Sequence, residues 1–187
     1  MSHDPALDAH EHSEHAEHAA HEHDPFTSRV AITVAVLAVL AAAAGSMETV
    51  EGGRAITASS EAVLKQDQAT DMWNEYEADS LKKHIYTVAA ETNADHEAEF
   101  RKVAKEQTDK QNEIKKKALE HEAERDELQK ESNAHEKRHH WLTGSATMVE
   151  IGIALSTVAI ITKRRPLWLG AVALGLIGVV LGAFAYA

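Results

Sequence analysis

The sequence predicts an all-α integral membrane protein. Three transmembrane helices are expected, with a long antiparallel, coiled-coil-like helical hairpin between the first and second, behind a disordered His-rich tail. Three observations predict it. Three apolar runs stand at residues 30–47 (no charge), 141–162 (one charge, Glu150) and 167–187 (no charge). A bilayer core needs about 20 such residues as helix. Ninety residues, 54–143, contain neither glycine nor proline and are rich in alanine, glutamate, lysine and glutamine, which are strong helix formers. Finally, charge and hydrophobicity are segregated into blocks, unlike the mixed surface pattern of a soluble domain.

Residues 1–28 carry seven acidic groups, seven histidines and two prolines. Such a segment buries too little apolar surface to offset its ordering entropy and is expected to be disordered. Within it His10, His12, His15, His18, His21 and His23 alternate with glutamate and alanine. Neutral imidazole is a good ligand for zinc, nickel and copper, so weak binding of these ions is expected, with no cofactor required. The plainer alternative is an acidic solvating tail whose histidines only buffer.

The first membrane helix is placed at 29–47. The long acidic region ahead of it does not resemble the short basic start of a cleaved signal peptide, so an uncleaved anchor is expected. Residues 48–140 must then return to the membrane, because consecutive spans leave and re-enter on the same side, which rules out one straight helix of ninety residues about 135 Å long. A fold-back is predicted near residue 94, where Thr92, Asn93 and Asp95 are N-cap types. The arms become about 54–91 and 95–140, a hairpin roughly 55–65 Å tall. Acid-first pairs at i,i+4, such as Glu97 with Arg101 and Glu113 with Lys117, support both arms. The second arm shows a heptad seam of Phe100, Gln107, Ile114, His121, Leu128 and His135, with Ala104, Gln111, Ala118, Arg125 and Ser132 beside it. Trp73, Tyr76, Leu81, Ile85 and Val88 are expected to answer it from the first arm.

The second span is placed at 141–162, the basic turn at 163–166 and the third span at 167–187. Lys163, Arg164 and Arg165 set the orientation: cations in a short loop belong in the cytoplasm. The N-terminus is therefore expected in the cytoplasm and the hairpin in the periplasm, in a bacterial inner membrane. Small residues four apart, as in Gly152 with Ser156 and Gly178 with Gly182, predict close helix packing within one chain or between copies.

The segment "QDQATDMWNEYEADSLKKHIYTVAAE", residues 66–91, carries Asp71, Trp73, Tyr76, Ser80, Leu81 and Lys82. Together with Arg29-Val30-Ala31 and the turn "TKRRPLW", it resembles a bacterial membrane family known as a domain of unknown function, DUF4337. The resemblance implies the architecture already read from the residues and carries no activity.

Two features invite a functional reading. Trp73, Tyr76, His84 and Tyr86 form either a recognition patch or part of the hairpin packing, since aromatics at helical spacing are usually core. Glu150 is an intramembrane carboxylate, a costly group that often marks a proton or ion path; alternatively it sits one turn below the interface. No basic residue in the spans could pair with it. No cysteine is present, which removes thiolate metal sites and thiol nucleophiles. There is no His-Glu-x-x-His and no glycine-rich phosphate loop, so an enzyme is not expected. The net charge of −11 argues against nucleic acid as a partner. The expected partners are the lipid bilayer and protein, as a homo-oligomer or a subunit of a membrane complex. The expected function is a non-enzymatic membrane protein presenting an anchored hairpin for assembly or scaffolding. The alternative is a small transport or metal- or pH-sensing protein using Glu150 and the N-terminal histidines.

Overall fold

The computed structural model describes residues 25–187; the six tail histidines lie outside the described residues. Three helices follow one another: α1 (Pro25–Thr92), α2 (Glu97–Thr162) and α3 (Arg165–Phe184), with a 3-10 turn at Ala94–His96 between the first two. All three are long and apolar enough to cross a membrane. No strand occurs among the described residues.

The span expected at 29–47 and the arm expected at about 54–91 lie on one continuous helix, since α1 runs through Glu48, Gly52 and Gly53. Each glycine costs a helix about 1 kcal/mol relative to alanine, which is too little to break a helix held on both sides. Likewise α2 passes through 140 without interruption.

Burial explains this continuity. Along α1 the buried and half-buried positions step alternately by three and four residues: Thr27, Val30, Val34, Leu37 and Ala41 lead on through Glu51, Ala58, Ala62 and Ala69 to Asp79 and Ala90. Along α2 the same alternation runs from Phe100 through Gln107, Ile114 and Ala118, then His135, Leu142, Val149 and Ser156. A spacing of 3.5 residues keeps one stripe of a helix turned toward its neighbour.

The chain divides into two compact units. The first comprises the described residues up to Ala55 together with Asn133–Ala187. Its apolar centre is Ala31, Val34, Leu37, Ala38 and Ala41 of α1 with Val149 and Ile153 of α2. In it, α3 approaches α2 closely at Gly178, where the Ser145 hydroxyl donates to the glycine carbonyl at 2.7 Å. A Cβ on Gly178 would stand 2.9 Å from the Ser145 carbonyl oxygen, so only glycine fits. The expectation of close packing through small residues is met at this site.

The second unit, Ile56–Ser132, is the hairpin. α1 stops at Thr92, whose hydroxyl donates back to the Val88 carbonyl at 2.9 Å. Asn93 is extended (φ −134°, ψ 85°) and its side chain caps nothing, so the N-cap expected here is a backbone turn, closed by His96 N–H to Asn93 C=O at 3.2 Å. Every predicted seam residue of the second arm is buried or half-buried. The first arm requires a correction. Trp73 and Tyr76 are half-buried, but Leu81, Ile85 and Val88 are 63%, 57% and 58% exposed. Their places are taken by Ala58, Ala62, Ala69, Asp79 and Ala90, all nearly inaccessible. Small side chains let two helix backbones approach, and that requirement outweighs the burial of larger apolar groups. The seam stays partly polar: the side-chain oxygens of Gln68 and Gln107 are buried without a hydrogen-bond partner.

Candidate functional site

The strongest concentration of buried polar chemistry lies in the first unit, where the last turns of the apolar runs give way to charge. α1 supplies Glu48, Glu51 and Gly52, and α2 supplies His135, Arg138, His139 and Thr143. Glu51 occupies the α1 stripe between Ala41 and Ala58 and is only 3% exposed. His135 Nδ1 lies 2.5 Å from its carboxylate; with the proton on Nδ1 the imidazole donates and the carboxylate accepts. Arg54 and Arg138 stand further off, at 3.6 and 3.8 Å. The hydrogen bond from His135 holds the Glu51 carboxyl below its ordinary value, against the opposing effect of burial and with help from the charges of His135, Arg138 and Arg54.

Around this pair the helices are tied by further polar contacts. The Thr143 hydroxyl donates to the Glu48 carboxylate at 2.6 Å, and His139 Nδ1 meets the Glu48 carbonyl at 3.2 Å. Gly52 makes room for that ring, because a Cβ there would meet His139 Nδ1 at 3.2 Å. Chemically the arrangement can hold one carboxylate ionised out of water, hydrogen-bonded to an imidazole on the facing helix. Among the described residues no group of three His, Asp or Glu side chains is arranged to hold a metal ion.

The residues picked out in the sequence fall elsewhere. Trp73 donates through its indole N–H to Glu122 across the hairpin at 2.8 Å and packs edge-on against Tyr76, ring centres 5.6 Å apart. Tyr86 lies against Phe100 at 6.1 Å. Three members of the proposed patch therefore pack within the hairpin, and His84 alone is exposed. Glu150 lies on the exposed side of the first unit, and its side chain makes no hydrogen bond or ion pair with another described residue. Lys163 is the turn residue with a left-handed backbone (φ 52°), and Arg164 is extended; together they reverse the chain into α3, with Pro166 in its first turn.

Two features escaped the sequence reading. Glu51 was legible in principle: stepping back from Ala58 by three and four reaches it, opposite a seam histidine. The second is a pair of aromatic belts around the apolar unit. At one end Phe26 meets Trp168 edge-on at 6.3 Å, and the Trp168 indole donates to Thr33 at 3.0 Å. At the other Trp141 packs on Phe184 at 5.9 Å, and Arg138 lies over the Tyr186 ring at 5.8 Å. Tryptophan at the ends of apolar runs is the signal that could have found them.

No curated protein and no solved structure matches this chain. Residues 26–187 match the family described as Domain of unknown function (DUF4337). That match takes in all three helices and leaves out only the start of the chain, and the chain belongs to the DUF4337 family.

Proposed function

We propose that this is a multi-pass inner-membrane protein whose function is to present a helical hairpin, coiled-coil in character, for assembly with other protein. The observation that carries the reading is the single heptad register that α1 and α2 each keep from apolar run to hairpin turn. A chain that builds two such helices around a turn is suited to contact with another helix. Trp168 and Tyr186 support insertion: they are 18 positions apart on one chain, about 27 Å along a helix, close to the ~30 Å of a bilayer's hydrocarbon core. The exposed Leu81, Ile85 and Val88 repeat at helical spacing and are the natural place for a partner helix.

The test uses the full chain in native membranes, with a photo-crosslinking residue at Ile85 and a control at Glu77. A crosslinked band at twice the chain mass identifies a second copy, and any other specific band identifies a different partner; both support assembly. Equal and diffuse labelling from both positions would overturn it. Retention in the membrane pellet after alkaline carbonate washing checks insertion separately.

A second reading, a small transport or sensing protein, draws on the buried Glu51–His135 pair more than on Glu150, which faces outward, or on the tail histidines with their expected weak zinc, nickel or copper binding. Purified protein in liposomes that moves protons or metal ions alone would favour it.

A further inference from the structure

α1 and α3 lie side by side in the first unit and leave an apolar groove of about 280 Å³ between them. Ile32, Val36 and Leu40 line one wall and Val172, Leu176 and Val179 the other. Gly175 and Leu37 also line it, and they pack closely: a Cβ on Gly175 would collide with Leu37. At one end it is closed by the Trp168–Thr33 hydrogen bond. One helical turn beyond that end stand Arg29, whose carbonyl accepts from Thr33, and Arg165, the first residue of α3. Both are exposed.

Their positions are not incidental to the groove. Arg29, Thr33, Val36 and Leu40 step by four, three and four, so they share one stripe of α1. Arg165, Trp168, Val172 and Val179 fall on one stripe of α3 in the same way. Each wall of the groove therefore ends in an arginine. Among the described residues neither guanidinium has a carboxylate partner, and no acid occurs in residues 25–47 or 151–187. Lys163 and Arg164 add charge nearby, and α1 and α3 both begin at this end, so their dipoles contribute positive potential too.

We propose that this groove is a binding site for an anionic phospholipid, one acyl chain lying between α1 and α3 and the phosphate held between Arg29 and Arg165. The inference rests on the membrane insertion proposed above. Charge complementarity selects the occupant. A helix of a second copy would fill the apolar groove equally well, but it would leave the two arginines at its mouth without an anion. Guanidinium groups take phosphate oxygens two at a time, and anionic lipids are enriched in the cytoplasmic leaflet where such cations are expected.

The test is native mass spectrometry of the full chain in mild detergent, with equal phosphatidylglycerol and phosphatidylcholine of matched acyl chains. One phosphatidylglycerol retained in preference to phosphatidylcholine is the expected result. Arg29→Gln and Arg165→Gln should each weaken that retention by about fivefold, the worth of one cation at an anionic surface. Val36→Trp, at a position 54% exposed and so tolerant of size, should block the groove and lower retention of both lipids without altering charge. Equal retention of the two lipids, or phosphatidylglycerol retention indifferent to all three substitutions, overturns the site. A dimer mass lost on Val36→Trp also overturns it, by giving the groove to a second copy. If carbonate washing releases the wild-type chain, membrane insertion itself has failed; if it does not, a negative lipid result counts against the site alone.

Discussion

At Glu51 a carboxylate has been taken out of water and given back one strong hydrogen bond and two distant charges. Because its folded-state value is depressed by His135, its contribution to stability is complete above the ordinary carboxylate value of 4.5 and is lost as pH falls through the depressed one. Glu51→Gln keeps the shape and removes the charge. It should cost about 1.5–3 kcal/mol, the worth of a charge-assisted hydrogen bond, and thermal unfolding in detergent at pH 7 would register it. The variant should also show a shallower loss of stability below pH 4.5 than wild type; an identical acid profile would mean that the pair contributes nothing. Gly178 makes the complementary point about space. Gly178→Val drives a branched side chain into the Ser145 carbonyl and Val149 and should cost about 1–3 kcal/mol by overpacking. Gly53, with open space around the position a Cβ would take, should accept alanine with no loss, and the two substitutions measured together separate contact from glycine propensity.

Between elements, what holds the hairpin is mostly small. Ala69 and Ala118 are fully buried and Ile114 nearly so, while Gln66 takes a hydrogen bond from Arg125 and Lys65 pairs with Glu124 at 2.7 Å. Exposed ion pairs of this kind contribute well under 1 kcal/mol each; the sequence-predicted pairs Glu97–Arg101 and Glu113–Lys117 both form. The alanines decide the helix separation. Ala118→Leu should therefore destabilise the hairpin by about 1–3 kcal/mol, whereas Leu119→Ala, one residue along and 48% exposed, should change it by less than about 0.5 kcal/mol. Urea unfolding followed by circular dichroism would rank them, and a reversed order would displace the seam. The same fact explains what could be read in advance. The second arm was legible because Phe100, Ile114 and Leu128 mark its stripe with large apolar groups. The first arm was legible only at Trp73 and Tyr76, because much of the rest of its stripe is alanine and Asp79 while Leu81, Ile85 and Val88 catch the eye from outside. The Glu51 cluster was hidden for a related reason: an acid in a charged stretch looks solvated until its register is followed.

For the molecule as a whole, the three apolar helices, the turn near residue 94 and the basic reversal at 163–165 all followed from composition and topology, since a chain that leaves a membrane must come back. Orientation is the property that follows from charge alone. Asp95→Cys, in a chain with no cysteine of its own, should react with a membrane-impermeant maleimide in cells stripped of their outer membrane. Labelling only after lysis would reverse the assignment and put Lys163, Arg164 and Arg165 outside.

The matched arms of the hairpin have one more consequence. Each repeats every seven residues, and the turn at 93–96 joins them at a fixed point in both repeats. Inserting one residue rotates everything beyond it by about 100° and turns the wrong stripe inward. Inserting seven in one arm restores the stripe but leaves that arm without a partner over its extra length. Only a heptad gained or lost in both arms at once keeps the two registers facing. Each such step shifts the turn by about 10 Å along the helix axis. The hairpin is thus a ruler with coarse graduations, and a relative that needs a different reach has to change it by whole marks.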